Sequence, residues 1–300
     1  MPGLEDIFWI FQYDFFQRAF IGGVCAAVLC SVLGVFIVLR RASLIGEGIS
    51  HLAFGGIALG LFLAIYPLYT AMALALIGTL VIYVLNRKKI VYSETAIGLI
   101  FSFGLAFGAV LASLAGGFSL DLFAYLFGSI LTITSQDLVI IIVLTSVVLT
   151  FVLIFYKEMI HMTFDEQGAR LAGIPVLTFE LVFNIMVAFT VIVSIKIVGS
   201  LLVTALLIAP AASAMQFSKS FRGTMLLATE LGILSVVLGM LISFGFDVPT
   251  GGIIVLISLA IFSICVILKR GLKNPASAVP EMIEQDFIDI EGAFLEKKDQ

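Results

Sequence analysis

Charge is the first thing this chain lacks. Lys, Arg, Asp and Glu make up 12% of its 300 residues, about half the share carried by a soluble domain. That is too little to cover a water-facing surface, which excludes an ordinary soluble globular protein. Cysteine is nearly absent as well. Cys25, Cys30 and Cys265 all lie within apolar runs, which excludes a disulfide framework or a cysteine-rich zinc cluster. They are expected to behave as small apolar side chains. There are only two histidines, His51 and His161. Three catalytic signatures are missing. Without G-x-x-x-x-G-K-[ST] the chain has no loop to cradle nucleotide phosphates. Without H-E-x-x-H and G-x-S-x-G it has no zinc-protease ligand helix and no nucleophile elbow. A nucleic-acid partner finds no support either, since the net charge is −4.

What the chain has is long apolar runs. It is 61% hydrophobic with a mean hydropathy of +1.21, and the runs are continuous over about twenty residues, the length an α-helix needs to cross a bilayer. An outer-membrane barrel would instead alternate in segments of about ten residues. The fold class expected is therefore all-α, a polytopic transmembrane bundle of about 8–9 spans. These are placed near 19–39, 44–65, 67–86, 93–114, 138–156, 177–195, 197–215, 224–244 and 252–268. Met1–Asp14 is aromatic and acidic without a basic n-region, so the first span, not a removable signal peptide, is expected to direct insertion.

Basic residues orient the bundle. Arg40, Arg41, Arg87, Lys88, Lys89, Lys157, Arg170, Lys219, Arg222, Lys269, Arg270 and Lys273 fall in connections on one side, and only Arg18 and Lys196 on the other. Short loops rich in Lys and Arg stay cytoplasmic, so the N-terminus is expected outside and the C-terminus inside. Ser119–Thr134 is apolar but too short to cross, and is read as an interfacial or re-entrant segment on the outer face. The transmembrane domain is taken as 1–270. Residues 271–300 form a separate acidic cytoplasmic tail, whose last twenty positions hold seven carboxylates against Lys297 and Lys298. Gly56-x3-Gly60 and Gly104-x3-Gly108 are small-residue patterns that allow helix backbones to approach.

Glu47 and His51 stand out inside this apolar background. Four residues apart on a helix, they share one face, and an ionisable group at membrane depth marks a functional site by default. A carboxylate oxygen and a neutral imidazole nitrogen suit zinc or manganese. The alternative is a hydrogen-bonded pair that sets helix register. Measured from Ser43, the pair lies about 6 Å and about 12 Å into its span, in the cytoplasmic half. Glu230 is a further intramembrane carboxylate, and Asp121 and Asp247 read as caps at outer span ends. His161, beside Lys157 and Glu158, reads as a solvated connection residue. The remaining chemistry is the binding and movement of a solute.

Four blocks in order then resemble one family. They are Val38-Leu39-Arg40-Arg41 with Gly46-Glu47-x3-His51; Leu120-Asp121-Leu122-Phe123-Ala124-Tyr125-Leu126-Phe127-Gly128; Lys196-Ile197-Val198-Gly199 running on to Ala205–Ala212; and Phe246-Asp247-Val248-Pro249-Thr250-Gly251. Together they resemble the permease subunits of zinc/manganese ABC importers, over nearly all of residues 15–270. The resemblance implies a type II ABC importer-like permease, not an enzyme. It would be a homodimer or pseudo-dimer with its path at the subunit interface, served by a separate ATP-binding subunit and an extracytoplasmic metal-binding protein. It would have no permanent cofactor, only a transported divalent ion. Glu47 and His51 fall at the family's path carboxylate and histidine, with Glu47 one methylene longer than the usual aspartate. The choice among zinc, manganese and iron stays open. Similarity to the family also implies an ATPase-coupling helix in the Pro210–Gly223 connection, formed by Pro210, Ala211, Ala212, Ala214, Phe217, Lys219, Phe221 and Arg222. Asp165–Gly173 ranks second for that contact. A stand-alone secondary metal transporter or channel is the competing class, and the sequence shows no internal repeat to support it.

Overall fold

The computed structural model describes residues 12–115, 120–129, 132–246 and 248–272. Asp247 and the acidic tail from 273 onward lie outside them, as do the first eleven residues. Among the described residues there is no strand, and twelve helices follow one another. These are α1 (Asp14–Leu39), α2 (Leu44–Phe62), α3 (Pro67–Arg87), α4 (Ser93–Leu114), α5 (Leu120–Phe127), α6 (Ser135–Ile154), α7 (Tyr156–Phe164), α8 (Glu166–Leu171), α9 (Val176–Val198), α10 (Val203–Ala214), α11 (Phe221–Phe246) and α12 (Thr250–Leu272). Eight of them are long and apolar enough to span a membrane. α1, α2 and α9 are buried along most of their length, while α3, α4, α6, α11 and α12 carry broad outward faces.

Local chemistry sets the helix ends. α3 opens with Pro67 in its first turn, where the missing N–H costs nothing. α6 opens with a capping box: Asp137 N–H donates to the Thr134 side chain and Thr134 N–H to the Asp137 carboxylate. α1, α2 and α3 close on Arg41, Ala64 and Lys89 at positive φ. There the amides of Ala42, Ile65 and Ile90 reach back to the carbonyls of Ile37, Gly60 and Leu85, the six-to-one bond of a Schellman ending.

The seventh expected span, 197–215, is a shorter helix than expected. α9 runs on to Val198, the chain turns at Gly199 (φ 89°), and α10 has only twelve residues, about 18 Å, so the chain returns from the Lys196 end of α9 to the end where Phe221 meets Phe36 and Tyr156 through α10 and the turns that flank it. The reason is competition for backbone partners: the amides of Ser200 and Leu201 donate to the carbonyls of Tyr125 and Leu126 in α5 instead of continuing the helix. Pro210 does not end α10, which continues to Ala214. The Ser119–Thr134 region holds the eight-residue α5, whose Leu122, Tyr125 and Leu126 are buried against α9, α2 and α12.

Both small-residue patterns sit at helix crossings. A Cβ at Gly56 would lie 2.6 Å from Ala71 Cα in α3, and one at Gly104 would lie 2.6 Å from the His51 carbonyl in α2. Gly34 in α1 lies directly against the Leu207 carbonyl of α10, whereas a methyl at Gly98 in α4 would have no neighbour within 4 Å. Gly34→Ala should therefore push α1 off α10 and lower the unfolding temperature in detergent, an overpacking penalty of about 1–3 kcal/mol. Gly98→Ala should leave stability unchanged or raise it by up to about 1 kcal/mol. Equal unfolding temperatures for wild type and Gly34→Ala would contradict this packing.

Candidate metal site and its outer support

α2 carries both residues of the central pair. Its helix begins at Leu44, so Glu47 lies in the first turn and His51 one turn later. α2 is rich in glycine where it meets α4. A Cβ at Gly48 would lie 2.8 Å from Ile97, and one at Gly55 would lie 2.9 Å from the Gly104 carbonyl. That closeness brings Phe101 of α4 edge-on to the His51 imidazole, with ring centroids 4.2 Å apart. His51 is only 7% exposed, and its Nδ1 is buried without a hydrogen-bond partner among the described residues. No hydrogen bond joins it to Glu47, so the structure lacks the register-setting bonded pair. A buried nitrogen left unpaired costs about 1–3 kcal/mol, a cost that a ligated cation or a water would remove.

Glu47 is half-buried and lines an open cleft of about 180 Å³ with Leu44, Gly48, Glu94, Ile97, Gly98 and Phe101. Glu94, from the first turn of α4, is the acidic residue that sequence reasoning did not single out for this site. Among the described residues no three His, Cys, Asp or Glu side chains are close enough to hold a metal ion together. A larger cavity of about 600 Å³ opens nearby, where Arg40, Asn86, Glu94, Glu166 and Glu180 meet. Burial pulls the Arg40 guanidinium below its ordinary value, and Glu180 and Glu166 oppose that pull. Glu230 lies exposed on α11, and His161 is exposed on α7. Of Asp121 only the backbone is described.

The expected coupling residues do not form one surface. Pro210, Ala211 and Ala214 are buried in α10, where Ala211 and Ala214 pack with Val35 and Ala228. Ala212 is half-buried, and Phe217, Lys219 and Arg222 are exposed. Phe221 turns inward and makes ring contacts with Phe36, Tyr156 and Phe164. It thereby ties this connection to α7. On the α7–α8 connection, Leu171 is 90% exposed and Phe164 66% exposed. Asp165 caps α8 through the Gly168 amide, and Arg170 pairs with Glu166 at 2.6 Å.

At the opposite end of α9 lies a cluster that sequence reasoning missed. Lys196 Nζ is 3.2 Å from Asp137 Oδ2, with both side chains almost fully buried. The ammonium also lies 4.5 Å from the centre of the Tyr125 ring. Thr134 donates to the same carboxylate oxygen through its amide and its hydroxyl, each at 2.8 Å. Tyr66, in the connection between α2 and α3, donates its hydroxyl to Asp137 Oδ1. Removing one member of such a buried pair strands the other at a cost of about 3–5 kcal/mol. The available signal was Thr134-x-x-Asp137 ahead of an apolar run, a capping-box pattern. Burial, and then the bond to Asp137, push the Tyr66 phenol up to about 12.

The family model described as the ABC 3 transport family matches residues 12–269. A manganese import system permease protein, ScaB of Streptococcus gordonii, is 36% identical over 258 residues, 86% of this chain and 92% of the relative. The manganese transport system membrane protein MntC of Listeria monocytogenes is 32% identical over 265 residues, covering 88% and 94% of the two chains. Among solved structures, PsaBC from Streptococcus pneumoniae in complex with Fab matches with a TM-score of 0.79 at 32% identity, covering 87% of this chain and 94% of that one.

The Tyr66 contact yields a direct test. The bonded form is the neutral phenol, so the contact is complete below the ordinary phenol value of about 10. It is lost as pH rises through about 12. In an ultraviolet titration, the difference between wild type and Tyr66→Phe should show one tyrosine ionising near 12. A midpoint near the ordinary value would mean that the phenol does not donate to Asp137.

Proposed function

The chain belongs to the ABC 3 transport family, and from that membership we propose that it is the permease subunit of an ATP-driven importer that carries manganese into the cytoplasm. The observation that carries the reading is the His51 imidazole, buried with Nδ1 unpaired one turn from Glu47 on the face of α2 that meets α4. The relatives named for manganese support the choice of metal, as do the two carboxylates of Glu47 and Glu94 in the cleft, since oxygen ligands suit that hard ion better than they suit soft ions such as copper(I). A second copy of the chain completes the ligand set across the open cleft. An extracytoplasmic binding protein delivers the ion, and a separate subunit hydrolyses ATP. The N-terminus is outside and the C-terminus in the cytoplasm, as the one-sided basic residues indicate.

His51→Ala should reduce radioactive manganese uptake by more than about tenfold, since even outer-shell changes at metal sites cost about 10–100-fold. Membrane expression should stay near wild type. Uptake at the wild-type level would overturn the assignment.

For ATPase docking, we place the contact on α7–α8 together with Phe217, Lys219 and Arg222. The exposed Leu171 and Phe164 give a partner apolar anchors on a capped, ion-paired helix. Buried Pro210, Ala211 and Ala214 cannot contribute directly. Leu171→Glu would bury an unpaired charge in that contact, at about 3–5 kcal/mol. The expected result is a permease that inserts normally but no longer copurifies with the ATPase. Copurification with normal uptake would move the docking surface away from α8.

A further inference from the structure

The Lys196–Asp137 pair is tied by an unbroken set of bonds to the residue preceding His51. Lys196 stands in the last turn of α9, and its carbonyl accepts from the Ser129 amide at 3.2 Å, just after α5. Four residues later, Ser200 donates its amide to the Tyr125 carbonyl at 2.9 Å and accepts at its own carbonyl from the Ser50 hydroxyl of α2. α2 is therefore held at two levels. Ser50 fixes it to the joint between α9 and α10, and Tyr66, just beyond its C-terminal end, fixes it to Asp137. Glycine makes the joint this tight: Gly128 and Gly199 have φ of 77° and 89°, and a methyl on either would strike backbone of the other segment. His51 is the next residue after Ser50, and it has no side-chain hydrogen bond of its own among the described residues. Its imidazole is oriented by the Phe101 ring on one side and by where α2 is held.

We propose that Lys196, Asp137, Tyr66 and Ser50 are positioning residues for the metal site: they hold α2 against the α9–α10 joint so that His51 presents its imidazole to the ion. This rests on His51 being a ligand. The buried pair acts at a distance, through the joint carbonyl that Ser50 reaches and through Tyr66 beyond the C-terminal end of α2, and touches no metal. The consequence is a specific kinetic signature. Loosening the support broadens the orientation of the imidazole and weakens binding, while the amount of folded permease and the maximal turnover change little.

The test is isotopic manganese uptake by cells that express the intact transporter, at a series of metal concentrations, normalised to the permease present in membranes. Ser50→Ala and Tyr66→Phe each remove one hydroxyl, and each should raise the apparent KM roughly fivefold, the size one lost hydrogen bond allows, with Vmax within about twofold. Lys196→Arg, which keeps the charge and a donor, should stay near wild type, whereas Lys196→Met should show a larger KM rise. Should Lys196→Met fail to accumulate, the two hydroxyl variants still decide the question. Wild-type KM in both Ser50→Ala and Tyr66→Phe overturns the positioning role, and so does a loss confined to protein amount. His51→Ala is run alongside. If it abolishes uptake while the hydroxyl variants are silent, only the positioning role falls. If it transports normally, the metal-site reading falls and takes the positioning role with it.

Discussion

A helix that breaks inside a bundle must find new partners for the amides it releases, because hydrocarbon offers none. The joint between α9 and α10 is where this constraint is met. α5, a helix of eight residues, ends beside the joint and supplies the carbonyls of Tyr125 and Leu126. The joint in turn supplies its Ser200 carbonyl to α2. Without α5 the break would expose unpaired backbone, and without the break α10 would not lie short and buried against α1 and α11. The paired charges of Lys196 and Asp137 follow the same logic. Neither could be buried alone, and the carboxylate also accepts from Thr134 and Tyr66 while the ammonium lies over the Tyr125 ring.

Close helix approach does the rest. α2 crosses α3 and α4 at glycines, so its polar residues are enclosed by backbone and small side chains instead of by long apolar ones. His51 is shielded by one aromatic ring, and Glu47 keeps one side toward an open cleft. This arrangement leaves a carboxylate at membrane depth on an uncovered face. Lipid is a poor cover for such a group, and a second protein surface is a good one.

The connections at the Arg40 end of the bundle show a division between packing and display. The chain between α10 and α11 turns Phe221 inward onto Phe36, Tyr156 and Phe164, while α8 holds Leu171 out. Small residues that read as a docking surface, Ala211 and Ala214, are small because α1 lies on them. An alanine-rich stretch suits both roles, and pattern alone does not separate them.

The sequence by itself determined the all-helical membrane class, the eight long spans to within about five residues at either end, and the position of Glu47 and His51 on one helical face. These follow from local rules: the length of an apolar run, the 3.6-residue period and the cost of charge in hydrocarbon. α6 begins three residues before the expected start because the capping box at Thr134 and Asp137 is a polar signal that hydropathy does not register. What needed the tertiary structure was every decision that depends on a partner distant in the chain. α9 stops at Val198 because α5, some seventy residues earlier, offers better acceptors. Lys196, which reads as a stray outer cation, is buried because Asp137 and the Tyr125 ring are brought to it. Whether Ala211 faces a partner or α1 is set by Gly34, which lets the two helices touch. Apolar length and helical period are written in consecutive residues, whereas the identity of a neighbour is settled only when the chain has folded back on itself.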